Sequence, residues 1–171
     1  MSLAVSGEDA DADEIMAETT PLQTPAPEAI GSMRHVLLAT DLSPASAPAT
    51  EEALEIARRT GARLTVLSVV DPRILRLPGG RFLRRVDQEQ ARVETEVQAL
   101  VARARRVGIP ATFLVWHGEP SEVILDAAEA EDADLIVMGS HGRGRLGRLV
   151  LGSTSTHVSA SSRRQVLVVQ S

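Results

Sequence analysis

The sequence predicts an α/β fold: an open, parallel five-stranded sheet with helices on both faces, built as a single domain. Three observations carry the prediction. Short apolar runs alternate with stretches of helical period, and no hairpin signal joins one run to the next, so the connections read as right-handed crossovers. The chain has 171 residues, which suits one domain with a sizeable core. Hydrophobic content is 43% while aromatic content is only 2%, so the core is made of Val, Leu, Ile and Ala, as in helices packed on a β-branched sheet.

Taken in order, residues 1–33 read as a disordered tail, and residues 34–171 as the domain. The tail holds seven acids, no arginine and the run Thr19-Thr20-Pro21 through Pro25-Ala26-Pro27, which neither holds a helix nor buries enough surface to order itself. His35 to Thr40 is a continuous apolar run, the pattern of a strand buried on both faces. Asp41 to Pro44 forms a polar corner. A helix follows from Ser46 to Thr60, with Pro48 in its first turn and Gly61 as its stop. Leu64 to Val70 is the second strand, ended by Asp71-Pro72, and Pro78-Gly79-Gly80 marks a loop.

A long helix spans Phe82 to Val107, with Val86, Val93, Val97, Leu100, Val101, Ala104 and Val107 on one stripe, closed by Gly108 and Pro110. Ala111 to Trp116 is the third strand, and Glu119 to Glu131 a helix with Pro120 in its first turn. Leu135 to Met138 is the fourth strand, Ser153 to Ser162 a short helix, and Val166 to Val169 the fifth strand. The two chemically dense corners, at Asp41–Ser43 and Gly139–Ser153, both follow strands, so a parallel sheet brings them to one rim.

Composition narrows the chemistry. There are no cysteines, which excludes disulfides, zinc–thiolate sites and thiol nucleophiles and fits a reducing, cytoplasmic compartment. All 18 basic residues are arginine. Without lysine there is no Walker-type phosphate loop, no Schiff-base chemistry and no kinase-fold transfer, so any bound anion is held by amides, hydroxyls and guanidinium groups. The tail takes seven of the 23 acids, leaving a domain close to neutral. With three aromatic rings in the chain, Phe82, Phe113 and Trp116, there is no stacking platform for nucleic acid. No apolar run reaches membrane-spanning length, and the N-terminus does not read as a signal peptide.

The densest motif is Gly139-Ser140-His141-Gly142, nine residues, then Gly152-Ser153-Thr154. Between strand and helix cap it gathers five glycines with Arg143, Arg145 and Arg148. Glycines admit close backbone approach, and free amides at a helix start attract an anion, so the stretch reads as a phosphate-cradling loop. This constellation resembles the nucleotide-binding signature of the universal stress protein family. Asp41-Leu42-Ser43 is similar to that family's Asp-x-Ser corner, and Asp134–Gly139 and Val166–Val169 sit where its fourth and fifth strands lie.

The resemblance covers residues 34–170. It implies strand order 3-2-1-4-5, an adenine-nucleotide α-hydrolase-like architecture, ATP binding with Mg²⁺ carried on the phosphates, and a homodimer through Val166, Leu167, Val168 and Val169. Gly139, His141, Gly142, Arg143, Gly152, Ser153 and Thr154 would then hold phosphates and ribose, with Ala39, Thr40, Val69 and Met138 around the base. Asp41 has two readings, a contact to ribose or phosphate-bound metal, or a cap on the turn it begins.

His35, His117, His141 and His157 show no metal-ligand spacing and read as isolated polar residues. No Gly-x-Ser-x-Gly elbow supports a hydrolase triad. Two positions depart from the family pattern: Thr156-His157 replaces an acid and asparagine, and Arg163-Arg164-Gln165 replaces Cys-Pro. The resulting expectation is an ATP-binding regulatory or sensing module of the stress response, with no assigned catalytic residue and no protein metal site. A slow ATPase or nucleotidyl transferase, and a carrier of another small anion, are the alternatives.

Overall fold

The computed structural model describes residues 33–71, 73, 82–140 and 152–170. The tail reading for residues 1–32, and the loop readings for residues 74–81 and 141–151, lie outside these. Strands β1 (His35–Ala39), β2 (Arg63–Val70), β3 (Ala111–His117), β4 (Leu135–Gly139) and β5 (Gln165–Val169) form one sheet of order β3-β2-β1-β4-β5. Each of the four pairings is parallel. Between the strands run α1 (Ala47–Thr60), α2 (Phe82–Arg106), α3 (Pro120–Ala130) and α4 (Ser153–Ser161). Strand order reverses between β1 and β4, the switch point where ligands of such sheets bind.

Every residue of β1 is buried, because helices cover both faces of the sheet. Strand alternation sorts the side chains into two cores. Val36, Leu38, Leu64, Val66 and Val137 meet Ala53 and Ala57 of α1 and Val93, Val97 and Ala104 of α2. Leu37, Ala39, Leu67, Ile136 and Met138 meet Ile124 and Ala127 of α3 and Val158 of α4. The alanines on the helices let them settle closely on the branched strand residues. A fully buried leucine such as Leu37 contributes about 1.5–3 kcal/mol relative to exposure.

The element ends follow local chemistry. Gly61 ends α1 at φ 71, a left-handed conformation that costs a residue with a Cβ. Gly118, at φ 146, turns the chain into α3, and a Cβ there would lie 2.8 Å from Val123 Cγ2. Glu119 caps α3 by accepting from the Glu122 amide at 3.0 Å.

Three sequence expectations change. A 3₁₀ turn, Pro44–Ser46, precedes α1, where the helix was expected to begin at Ser46. Val107 lies beyond α2 and is 56% exposed, because the chain leaves the helix at Arg106 before the apolar period runs out. Met33, assigned to the tail, is buried at 5% exposure and packs in the core of the α1–α2 face. No helix among the described residues is long and apolar enough to cross a membrane.

Candidate functional site at the switch point

The carboxyl ends of β1 and β4 stand side by side, with Ala39 opposite Met138 in the register. Thr40 extends β1 by one further bond, its amide donating to Leu67 O at 2.9 Å. The chain then turns through Leu42 at φ 61, an uncommon conformation for a residue with a branched side chain. Side chains of the corner hold it there. The Leu42 amide donates to Thr40 Oγ1 at 3.0 Å, and Asp41 Oδ1 accepts from Ser43 N at 3.1 Å and Ser43 Oγ at 2.7 Å. Thr40 Oγ1 also lies 3.0 Å from Ser46 Oγ, which donates to Ser43 O at 2.8 Å. Backbone strain kept in place by its surroundings is a feature of ligand-binding corners.

The β4 side is built differently. Ser140, buried at the end of the strand, donates its amide to Val169 O at 2.8 Å. Its carbonyl accepts from the Gly152 amide at 2.8 Å and from Ser155 Oγ at 3.2 Å. Residues twelve apart in sequence are therefore clamped together, and the two feet of the glycine-rich segment stand side by side. Gly152 is the N-cap of α4 in an extended conformation with no side-chain cap, and the first bond inside the helix is Thr156 N to Gly152 O at 2.9 Å. The amides of Ser153, Thr154 and Ser155 lie ahead of that bond, at the positive end of the helix dipole. Such an arrangement is suited to an anion.

Of the residues expected at the site, Ala39, Thr40, Asp41, Met138, Gly139, Gly152, Ser153 and Thr154 come to this rim. Gly139 pairs with Val169, and Val69 lies near the end of β2, opposite Trp116 of β3. Ala39, Thr40 and Met138 are buried, Asp41 and Thr154 are half-buried, and Ser153 is exposed. His141, Gly142, Arg143, Arg145 and Arg148 lie outside the described residues. Thr40 carries a task that spacing did not reveal, since its hydroxyl holds Leu42 and Ser46. Asp41 caps its turn through Oδ1, the second of its two readings. Ser140 and Ser155 were missed, and the recurring small hydroxyl residues of Gly152-Ser153-Thr154-Ser155 are the signal that points to them.

Further along the same rim, Arg73 grips Asp71 through Nε and Nη2 at 2.8–3.2 Å. That bond holds the Asp71 carboxyl below the usual carboxylate range. Among the described residues no group of three or more His, Asp or Glu side chains comes together to hold a metal.

The opposite rim, at the strands' amino ends, is closed by side chains. Asp134 Oδ2 accepts from the amides of Arg34 at 2.8 Å and His35 at 3.0 Å, and these bonds hold its carboxyl below the usual range. His35 is not the isolated polar residue that its sequence context implied. It is buried, with Nε2 2.8 Å from Thr65 Oγ1 and Nδ1 2.8 Å from Glu131 O and 2.9 Å from Arg63 Nη2. Burial first, and the Arg63 guanidinium second, push the imidazole pKa below its ordinary value.

Comparison with known proteins agrees with the sheet order. The model of the universal stress protein family matches residues 33–170. A universal stress protein of Thermus aquaticus, encoded in the 3′ region of a QAH/OAS sulfhydrylase, is 38% identical over 142 residues, covering 80% of this chain and 98% of that protein. The structure of the universal stress protein UspA from Lactobacillus plantarum superposes with a TM-score of 0.74 at 27% identity, covering 81% of this chain and 98% of that one. The universal stress protein from Archaeoglobus fulgidus in complex with dAMP shares the fold, with a TM-score of 0.60 at 22% identity over 82% of this chain and 99% of that one. The matched region starts at the buried Met33 and takes in all five strands, and the chain belongs to the universal stress protein family.

Proposed function

We propose that this protein binds an adenine nucleotide, ATP in the first instance, at the β1–β4 switch point and acts as a nucleotide-dependent regulatory module in the stress response. The observation that carries the reading is the Ser140–Gly152 clamp, which sets the first amides of α4 beside the end of β4, the strand next to β1. Phosphates would lie against those amides and the glycine-rich segment, with Ser153 and Thr154 supplying hydroxyls. The base would lie along Ala39, Thr40, Val69 and Met138. Mg²⁺ would arrive on the phosphates and neutralise their charge, with Asp41 the carboxylate of the β1 corner. The dAMP-bound fold relative supports the choice of an adenine nucleotide.

Regulation is favoured over catalysis because the chain has no lysine to stabilise a transferring phosphoryl group and no described base poised at the site. A homodimer through β5 belongs to the same reading. β5 is an edge strand, its Val166–Val169 run is half-buried, and no proline or charge interrupts the run.

Calorimetry with ATP tests the site. Wild-type protein should bind, and Gly142→Val should abolish binding while circular dichroism stays unchanged. Arg143→Ala should weaken binding by about 1.5–3 kcal/mol at most, the worth of one charge-assisted hydrogen bond. Wild-type affinity in a folded Gly142→Val chain overturns the assignment.

A further inference from the structure

The amino-terminal rim of the sheet is segregated by charge. Beneath α3 lie Glu129, Glu131, Asp132 and Asp134, with Arg164 paired to Glu129 at 3.2 Å and Asp132 at 2.9 Å. Beneath α1 and α2 the exposed charge is positive. Arg58 and Arg59 occupy the last turn of α1, and Arg105 and Arg106 the last turn of α2. Two backbone bonds and one from a side chain knit these ends into one surface: Arg63 N donates to Arg34 O at 2.9 Å, Leu64 N to Pro110 O at 2.8 Å, and the guanidinium Nε of Arg105 to Ala111 O at 2.9 Å. Arg34, itself exposed, stands at the start of β1 on this surface.

Some of this charge is matched and some is not. Arg58 pairs with Glu55 at 2.8 Å. Arg34, Arg59 and Arg106 form no direct ion pair among the described residues, although Asp134 feels the charge of Arg34 and Glu55 that of Arg59. The helix dipole rationalises arginines in the last turns of α1 and α2. It does not account for Arg34, which belongs to no helix.

The chain enters the domain at this rim. Met33 is buried there, and everything before it is acidic: Glu8, Asp9, Asp11, Asp13, Glu14, Glu18 and Glu28, with no arginine or lysine. Fifteen residues separate Glu18 from Met33, a reach of up to about 50 Å. We propose that the acidic segment Glu8–Glu18 docks in cis on the arginine surface formed by Arg34, Arg59, Arg105 and Arg106, and so covers it. Tethering gives the segment a local concentration that a free anion of similar charge must exceed. The acids beneath α3 repel it, which confines it to the α1–α2 half of the rim. The surface lies at the opposite end of the strands from the nucleotide site, so this inference stands or falls independently of that reading.

The absence of cysteine provides a clean test in the full-length protein. A nitroxide on Ser6→Cys should broaden the amide signals of residues 58–63 and 105–111 at an ionic strength of about 0.02 M, and the effect should vanish at about 0.5 M, where screening is much shorter-ranged. Arg59→Glu combined with Arg106→Glu should remove the broadening at low salt while the rest of the spectrum stays folded. Four outcomes overturn the proposal: no broadening on this surface, broadening that survives high salt, broadening centred on residues 129–134, or broadening of an isotope-labelled chain by a separate spin-labelled one. The last would make the occupant a second copy.

Discussion

The two rims of this sheet solve the same problem in opposite ways. At the amino-terminal rim, side chains satisfy the backbone and each other: Asp134 takes the amides of Arg34 and His35, and His35 is bonded on both ring nitrogens. At the carboxyl-terminal rim, backbone and small hydroxyls do the closing among the described residues, and α4 opens with the amides of Ser153, Thr154 and Ser155 ahead of its first internal bond. The difference follows from residue size. Arg63, His35 and Glu131 reach across strands and fill the space they close, whereas Gly139, Ser140, Gly152 and Ser155 carry side chains too small to do so. Under the proposed function, the sheet concentrates stability at one end and recognition at the other.

The sharpest way to break this comparison is Asp134→Ala. One carboxylate oxygen serves two amides, and charged hydrogen bonds of this kind are worth about 1.5–3 kcal/mol each, less where water shares the site. We expect a loss of about 2–3 kcal/mol in denaturant unfolding, with ATP affinity unchanged in the folded protein. An affinity that falls with stability would mean that the two rims are not separate.

The next effect depends on pH. The His35 pKa is lowered in the fold, chiefly by burial and then by Arg63, while Glu131 and Asp134 pull the other way. The unfolded state therefore binds more protons than the native one around pH 6.5, so the contribution is present above that pH and is lost as pH falls through it. The carboxylates with lowered values, Glu55, Asp71, Glu119 and Asp134, lose their contributions only at lower pH. Unfolding free energies at pH 7.5, 6.5 and 5.5 should fall with acidification, and His35→Gln should flatten that slope. A slope unchanged by the substitution would assign it to other groups.

How legible these rims were differs for a physical reason. Buried parallel strands are continuous apolar runs, so His35–Ala39 and Leu135–Met138 announce themselves within a few residues. The glycine-rich signature is also local, and the residues it singles out, Gly139, Gly152, Ser153 and Thr154, share the rim at the strands' carboxyl ends. The His35 network is not local: Thr65 lies 30 residues away, Glu131 96 and Asp134 99. No single-sequence pattern links them. Thr40 illustrates a subtler limit, since a hydroxyl in a motif can face a ligand or hold its own corner, and here it holds Leu42 and Ser46. Val107 shows the reverse error, where apolar period continues past the residue at which the backbone leaves the helix.

Ser155→Ala probes the open rim with a smaller change. Its single hydroxyl proton is shared between Ser140 O at 3.2 Å and Gly152 O at 3.0 Å, a neutral interaction worth about 0.5–1.5 kcal/mol to the fold. Under the proposed function, the looser Gly152 end should also raise the ATP dissociation constant several-fold by calorimetry. Stability loss without any affinity loss would leave the clamp a structural device only.

Removal of residues 1–32 should have the smallest effect on both rims. If the acidic segment covers the arginine surface, truncation takes away only exposed ion pairs, which are screened by salt and cost side-chain freedom to hold. The melting temperature should then shift by no more than about 2 °C, the scale of a few tenths of a kcal/mol in a domain of this size. ATP affinity should stay the same, because the surface lies at the strands' amino ends and the proposed nucleotide site at their carboxyl ends. What should change is the response to salt. The truncated chain exposes arginines that repel one another, so its melting temperature should rise with ionic strength more than that of the full-length protein. A drop of many degrees on truncation would instead mean that the segment packs apolar surface against the domain, as Met33 already does.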